Sequence, residues 1–356
     1  MTPEDWSTWL PEEPPSFEQF LALQPLPAPV LPVIGGVLAA LYLAGVLRMW
    51  ATKRRWFFGR TLSFLSGCAL LVASTGLAVE LYGFAMFSVF MFQQLTLMMA
   101  VPPLLVLGSP GTLLLRATPH HGLGRVVHRL AFAGLRSPVS RWLLHPAFGI
   151  PLFLLSFYGL YLAGLADSFV GTVAGHTALE VLFLVAGMLF TIPILSSDPL
   201  PVRLGHAGRI IDVVVEMALH AFFGVIVMMS TATLVTAFAS PPPSWQLDPL
   251  MDQQVAGGLA WSYGEGPTAL ILLYLLHRWY RADTVNSRAH DRRVEIHGNP
   301  ELDEYNAYLA RIAAADARRQ QARRPPADAS GDTAATDDGT FTNHPDRPRT
   351  PNVNRK

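Results

Sequence analysis

The sequence contains a single cysteine and few charged residues. Cys68 is the one cysteine among 356 residues, so the chain cannot close an internal disulfide or supply a cluster of thiolates. This excludes the zinc-finger and iron–sulfur classes. Charged residues make up 15% of the chain, compared with ~25% in an ordinary soluble domain. Apolar residues make up 51%, and this composition indicates a polytopic membrane protein.

Common catalytic signatures are also missing. The sequence has no Walker A motif, no His-Glu-x-x-His and no Gly-x-Ser-x-Gly, so nothing predicts a hydrolase or a nucleotide-binding protein and we expect no enzyme activity. Lys plus Arg and Asp plus Glu both number 26. Net charge alone therefore decides nothing about nucleic acid. The charged residues are concentrated between and after the long hydrophobic segments. We therefore expect the lipid bilayer, and no nucleic acid, as a partner.

Long apolar windows recur along the chain, each about as long as the ~20 residues that cross a bilayer as a helix. They predict an all-α fold, a polytopic membrane helix bundle of about seven transmembrane helices in a domain spanning residues 29–280. The sixth window is longer than a bilayer requires, which predicts a tilt or an extension. The windows are 29–48, 61–82, 84–107, 146–165, 176–196, 210–239 and 259–280.

Basic residues set the predicted orientation, because Lys and Arg beside spans stay on the cytoplasmic side. They occur in segments 48–60 and 108–145, at Arg203 and Arg209, and from Arg278 onward. The alternate segments 1–28, 166–175 and 240–258 contain none. The amino terminus is therefore predicted outside and the carboxyl terminus in the cytoplasm.

The segments that flank the bundle have their own signatures. Residues 1–28 are predicted to form an extracytoplasmic arm. Residues 281–324 are predicted to form a cytoplasmic segment with a short amphipathic helix, capped by Asn299 and followed by Pro300 at the first helical position. Residues 325–356 lack a pattern of apolar residues and are predicted to be disordered.

Polar residues inside predicted spans are candidates for function, because a charge at the bilayer centre costs ~3 kcal/mol. His176 and Glu180 stand one helical turn apart in span five, and Glu216 and His220 do so in span six. Glu265 lies in span seven. Structural alternatives remain for all of them: His220 could hydrogen-bond to Glu180 or Glu265, and the acids at 212 and 216 could pair with Arg203 or Arg209.

Methionines and helix breakers add to this pattern. Met91 and Met217 lie on helical stripes with the polar residues, and thioether and imidazole groups bind Cu(I) well. Methionine is also a common core residue, so packing remains an alternative. Pro102-Pro103 is predicted to end or kink span three. The run Gly264 to Pro267 is predicted to interrupt span seven beside a polar cavity.

Several ordered stretches carry a family resemblance. The sequence resembles the cytochrome c oxidase assembly factor CtaG family, in its actinobacterial form, over roughly residues 30–280. The matching stretches are Phe87-Ser88-Val89 through Gln93, Met98 through Pro110, Ala186 through Phe190 with Pro193-Ile194-Leu195 and Asp198-Pro199, Met217 through Gly224, and Asp252 through Gly258 with Trp261, Gly264-Glu265 and Pro267.

The resemblance implies a plasma-membrane assembly factor that helps insert copper into the Cu_B centre of subunit I of a haem-copper oxidase. Such a protein would hold Cu(I) from the outer side and release it by ligand exchange, without catalysing a reaction. The chain departs from the family at Phe90 and Gln94, where relatives usually carry a His-x-x-x-His pair, and at Glu180, where they often carry a further histidine. The predicted metal ligands are His220, His176, Met91, Met217, Glu180 and Glu265.

Two other functions remain open. The series Asp212, Glu216 and His220 places polar groups at successive depths of span six, as a copper or small-solute transporter requires. A structural partner of the oxidase that binds no ligand is the third hypothesis. That hypothesis predicts that replacement of His176 and His220 by alanine leaves oxidase assembly intact.

Overall fold

A computed structural model describes residues 6–119, 121–198, 205–298 and 300–322. All regular structure in these ranges is helical, which confirms the predicted all-α class. The α-helices in chain order are α1 (Phe17–Phe20), α2 (Val30–Ala51), α3 (Phe58–Gly76), α4 (Val79–Gly83), α5 (Phe87–Leu95), α6 (Val101–Leu107), α7 (Pro110–Ala117), α8 (Leu123–Arg136), α9 (Pro138–Leu143), α10 (Pro146–Leu154), α11 (Ala166–Val170), α12 (Val173–Leu195), α13 (His206–Met229), α14 (Pro249–Ser262), α15 (Glu265–His297) and α16 (Pro300–Ala322).

Five helical segments of the described chain are long and apolar enough to cross a membrane: α2, α3, the composite Phe87–Ala117, α12 and α13. They coincide with the first, second, third, fifth and sixth predicted windows. The fourth window forms a shorter apolar helix, Pro146–Leu162, whose second part, Leu155–Leu162, is a π-helix. The membrane fold is thus confirmed, whereas the total of seven spans and the orientation stay predictions.

The third span changes helix type in its middle. A π-helical segment, Thr96–Ala100, joins α5 to α6. Pro102 and Pro103 follow it and have no backbone N–H to donate to the carbonyls of Met98 and Met99 four residues earlier. The freed Met98 carbonyl lies so close to Gly187 on α12 that a Cβ there would come within 2.2 Å of it. The predicted kink at the prolines therefore takes the form of a π-helix packed on α12.

The sixth span ends earlier than the window predicted. Helix α13 stops at Met229, and residues 230–239 form a loop with a short 3₁₀-helix, Thr236–Phe238. Val235 and Phe238 of this loop are buried. These buried side chains are apolar, and for that reason the sixth predicted window extended over them. Gln253 on α14 makes hydrogen bonds to the backbone of this loop. These residues therefore fold back onto the bundle instead of continuing the helix.

The seventh window is interrupted, as the Gly-Glu-Gly-Pro run predicted. Helix α14 ends at Ser262 and α15 begins at Glu265. Helices α13 and α14 pack backbone to backbone: a Cβ at Gly224 would lie 2.4 Å from the Trp261 nitrogen, and one at Gly257 would lie 2.3 Å from the Met228 nitrogen. These two glycines let the helices approach closely, as small residues do in membrane interfaces.

The chain divides into two compact units, Met1–Val285 and Asn286–Lys356. The first holds the apolar core, in which Cys68 is a buried residue. The second contains helix α16. Its apolar side chains Leu302, Tyr305, Leu309 and Ile312 are exposed. Asn299 and the tail predicted to be disordered lie outside the described residues.

Candidate functional site

Three buried ionisable side chains meet at one end of the bundle. Glu80 on α4, and His176 and Glu180 on α12, bring one ligand atom each to within 4.8 Å of one another. His176 and Glu180 share a face of α12 because they are one turn apart. Helix α4 is a short turn between the second and third spans, which places Glu80 against the first turns of α12. We call these residues the Glu80 cluster.

The side chain of Gln93 fixes Glu80 in this position. Its Nε2 donates to Oε2 of Glu80 at 2.7 Å and to the Ser74 carbonyl at 2.8 Å. The other oxygen of Glu80, Oε1, lies 3.2 Å from Nε2 of His176. The amide of Gln93 therefore occupies one carboxylate oxygen and leaves the second directed at the imidazole.

Aromatic rings and a glycine enclose the cluster. Phe84 stacks on the His176 ring with centroids 4.2 Å apart, and Phe90 lies at 5.1 Å. A Cβ at Gly83 would come within 2.2 Å of Oε1 of Gln93 and 3.6 Å of the His176 ring. Only glycine at this position leaves room for both side chains. The cluster is thus a buried polar site with apolar surroundings.

Several polar atoms in this pocket have no hydrogen-bond partner among the described residues. They are both ring nitrogens of His176, Oε1 of Glu180 and Oε1 of Gln93. The 3.2 Å approach of His176 to Glu80 does not have hydrogen-bond alignment. Buried polar groups are normally paired. Two neighbouring buried carboxylates also require a proton or a cation between them. The unpaired donors and acceptors fit a bound cation that takes the place of such a proton.

His220 lies in a different pocket from the Glu80 cluster. Its ring packs against Phe157, with centroids 5.3 Å apart, and against Phe153. The ring is 1% exposed and its Nε2 has no hydrogen-bond partner among the described residues. The structure thus brings together two of the predicted ligands, His176 and Glu180. It does not show the hydrogen bond from His220 to Glu180 or Glu265 that was the structural alternative.

The other predicted ligands lie outside the Glu80 cluster as defined. Met91 is fully buried in the apolar core. Met217 is partly buried on α13, and Glu265 is exposed at the start of α15. The alternative pairing of Asp212 or Glu216 with Arg209 is not seen among the ion pairs of the described residues, and Arg203 lies outside them. Whether the predicted residues bind metal remains a prediction.

Gln94 occupies a position at which the resembled family usually carries histidine. It is fully buried, and neither its amide nitrogen nor its amide oxygen has a hydrogen-bond partner among the described residues. Phe90, at the other such position, contacts the His176 ring. The third span therefore contributes Gln93 and Phe90 to the site, and Gln94, one turn after Phe90, adds a buried amide that has no partner among the described residues.

Two side chains of α14 organise the surroundings of the site. Asp252 accepts hydrogen bonds from the Phe87 amide at 2.6 Å and from the amide and hydroxyl of Ser88, so it caps α5 from another helix. Burial raises the pKa of the Asp252 carboxyl, against the lowering effect of these hydrogen bonds. Gln253 accepts from the Leu234 amide at 2.7 Å and donates to the Ala232 carbonyl at 2.9 Å.

Glu80 is the cluster member that the sequence reasoning missed. It lies near the end of the second predicted window, and a carboxylate inside an apolar window is a candidate by the same energetic argument that selected Glu180 and Glu265. That signal was present in the sequence. The pairing with His176 and Glu180 was not, because nothing in the sequence indicates that α4 turns toward α12.

Comparison with known proteins places the chain among its relatives. The family described as cytochrome c oxidase caa3 assembly factor (Caa3_CtaG) matches residues 40–282. The chain is 38% identical over 283 residues to uncharacterized proteins of Mycobacterium bovis and Mycobacterium tuberculosis. A protein of Mycobacterium leprae is 34% identical over 281 residues. No solved structure matches.

The coverage of these matches is unequal. Each covers 78% of this chain but 43% of the mycobacterial protein, so the chain spans less than half the length of these relatives. The family match extends from the second half of α2 to within α15 and includes every residue of the Glu80 cluster. The chain belongs to the cytochrome c oxidase caa3 assembly factor family.

Proposed function

We propose that this protein carries a copper ion on the Glu80 cluster and delivers it to the Cu_B centre of subunit I of a haem-copper oxidase in the plasma membrane. The observation that carries the proposal is the buried approach of Glu80, His176 and Glu180, with ligand atoms within 4.8 Å of one another. The ion is cargo, and the protein's part is to bind it, shield it and release it.

The charge of the cluster favours a divalent ion. Two carboxylates carry two negative charges and a neutral imidazole adds none, so a divalent ion makes the pocket neutral. Imidazole and carboxylate ligands suit Cu(II), whereas thioethers suit Cu(I). The cluster thus differs from the Cu(I) site predicted from histidine and methionine together.

Release of the ion is the second requirement. Gln93 holds one oxygen of Glu80 at 2.7 Å, so Glu80 offers its other oxygen to the cargo. His176 and Glu180 complete three protein ligands, which leaves further coordination positions for ligands of the acceptor. Ligand exchange with an apo-oxidase then needs no catalytic step and no change in the oxidation state of the ion.

The decisive experiment measures the copper-to-haem ratio of the oxidase purified from a strain that lacks this gene. The strain is complemented with the wild-type protein, with Glu80→Gln and Glu180→Gln, or with Glu12→Gln as the matched control. Glu12 is an exposed acid on the amino-terminal segment. We expect the wild type and Glu12→Gln to restore the ratio, and the two cluster variants to leave it low.

Other outcomes identify the competing functions. Full copper in the oxidase of the deletion strain contradicts delivery. If the oxidase assembles with full copper in both cluster variants but fails in the deletion strain, the protein is a ligand-free structural partner. Accumulation of labelled copper inside proteoliposomes, beyond stoichiometric binding, identifies a transporter.

A further inference from the structure

The surroundings of His220 contain a second set of metal-binding atoms, separate from the Glu80 cluster. A Cβ at Gly264 would lie 2.7 Å from Nδ1 of His220 and 2.7 Å from Sδ of Met99. The nitrogen and the sulfur therefore lie no further apart than twice that distance. They come from α13 and from the π-helical segment of the third span, and any side chain at Gly264 would overlap the His220 ring and crowd the Met99 sulfur.

Met99 lies in an irregular part of the helical backbone. The π-helical segment Thr96–Ala100 precedes Pro102 and Pro103, and π-helical turns are frequent at functional sites. Gly264 itself lies in the break between α14 and α15. Breaks in spans are tolerated where they line a cavity. The π-helical part of the third span and the break between α14 and α15 thus meet at His220.

A carboxylate lies close to this pair. Glu216 is one turn from His220 on α13 and is buried, and it lines the same small cavity as Met99 and Thr191, about 20 Å³ in volume. No hydrogen bond or ion pair within the described part of the chain reaches its carboxylate. A cavity of that size holds one water molecule or one small ion.

We infer that His220 and Met99, with Glu216 nearby for charge balance, form a second site that binds a soft monovalent ion, Cu(I) or its analogue Ag(I). Thioether and imidazole ligands select Cu(I). One carboxylate balances one positive charge, in contrast to the two carboxylates of the Glu80 cluster. The second site is independent of the proposed delivery function, and no transfer of metal between the two sites is implied.

Silver binding to the full-length protein in detergent tests this inference. Ag(I) affinity is measured by competition with a chelator for the wild type, Met99→Leu and the control Met86→Leu. Met86 is a buried methionine in a separate apolar cluster, and both changes are close in volume, so we expect both variants to keep the fold. We expect Met99→Leu to weaken Ag(I) binding by about tenfold or more and Met86→Leu to leave it unchanged.

A pair of glycines gives a second, steric test. In Gly264→Ala the new methyl group overlaps the His220 ring and crowds the sulfur of Met99, so these side chains must move, whereas in Gly266→Ala it meets no atom within 4 Å. We expect the first change to reduce Ag(I) binding and the second to have no effect. X-ray absorption of the bound silver should show a sulfur neighbour in the wild type that is lost in Met99→Leu.

The outcomes separate the two proposals. Unchanged Ag(I) affinity in Met99→Leu, or a silver spectrum without sulfur, overturns the second site. Cu(II) affinity is measured on the same proteins and should respond to Glu80→Gln but not to Met99→Leu. If Glu80→Gln leaves Cu(II) binding unchanged while Met99→Leu weakens Ag(I) binding, the Glu80 cluster fails as a metal site and the second site stands.

Discussion

Oε1 of Glu80 lies 3.2 Å from Nε2 of His176, although the two residues belong to different helices. The contact connects α4, which joins the second and third spans, to the first turn of α12. Both side chains are buried, so the charge of Glu80 has little access to water. Buried ionisable groups of this kind in a membrane protein are costly and mark functional sites.

The first prediction concerns Cu(II) affinity at the cluster. Glu80→Gln and Glu180→Gln each replace a carboxylate ligand by a neutral amide, a weaker ligand for a cation, so we expect each to weaken Cu(II) binding by about tenfold or more. Calorimetry in detergent measures the affinity. Glu12→Gln, at an exposed position, should bind as the wild type does. Equal affinities in all four proteins would exclude the cluster as the binding site.

The second prediction concerns Gly83, which borders the Glu80 cluster. In Gly83→Ala the new methyl group must displace Oε1 of Gln93, which loosens the hydrogen bond from Gln93 to Glu80. Groups that orient metal ligands typically contribute 10- to 100-fold, as an order of magnitude, to affinity, so we expect a loss of Cu(II) affinity in that range. Gly258→Ala on α14, where a Cβ meets no atom within 4 Å, is the matched control. Retention of full affinity in Gly83→Ala would show that Gln93 does not orient Glu80.

The third prediction concerns the cap that α14 provides to α5. Asp252→Ala removes the acceptor for the Phe87 and Ser88 amides, and loss of such a cap costs about 0.5–2 kcal/mol. Asp252→Asn retains an acceptor oxygen and should lose less. The thermal unfolding midpoint in detergent measures the effect. A midpoint of Asp252→Ala equal to the wild type would contradict the capping role.

The fourth prediction is a dependence of stability on pH through the same residue. Burial raises the folded-state pKa of the Asp252 carboxyl above its ordinary value of 3.8. A carboxyl with a raised pKa binds its proton more tightly in the folded state. Its contribution is therefore fully present below pH 3.8 and is lost as pH rises through the folded-state pKa. Asp252→Asn should remove this decline, which unfolding midpoints measured across that pH range will show. Parallel pH profiles for the two proteins would refute the prediction.

The fifth prediction concerns the loop at residues 230–239. Gln253→Ala removes both hydrogen bonds to this loop and leaves a backbone donor and acceptor unpaired, which costs about 1–3 kcal/mol. Hydrogen exchange at the Leu234 amide should become faster. Gln254→Ala, at the adjacent and only partly buried position, should leave the exchange rate as it is. Equal rates in the two variants would mean that other contacts hold the loop.

The hydrophobic pattern of the sequence determined the class of fold. Five apolar windows became long helices, and the Gly-Glu-Gly-Pro run became the break between α14 and α15. These features are readable because the bilayer requires long apolar stretches, and because glycine and proline act on the local backbone. The pattern was wrong about residues 230–239, since an apolar stretch that packs against its own bundle has the same composition as one that faces lipid.

The composition of the candidate site was only partly readable from the sequence. The spacing of His176 and Glu180 places them together, because one helical turn separates them. The packing of α4, α5 and the π-helical segment brings Glu80, Gln93 and Met99 next to their partners. These partners are far apart along the chain, so no local sequence pattern predicts the contacts. The sequence by itself determined which residues are costly to bury, through their charge. The tertiary structure alone decided which of them share a pocket, because contacts between helices depend on how the backbones pack.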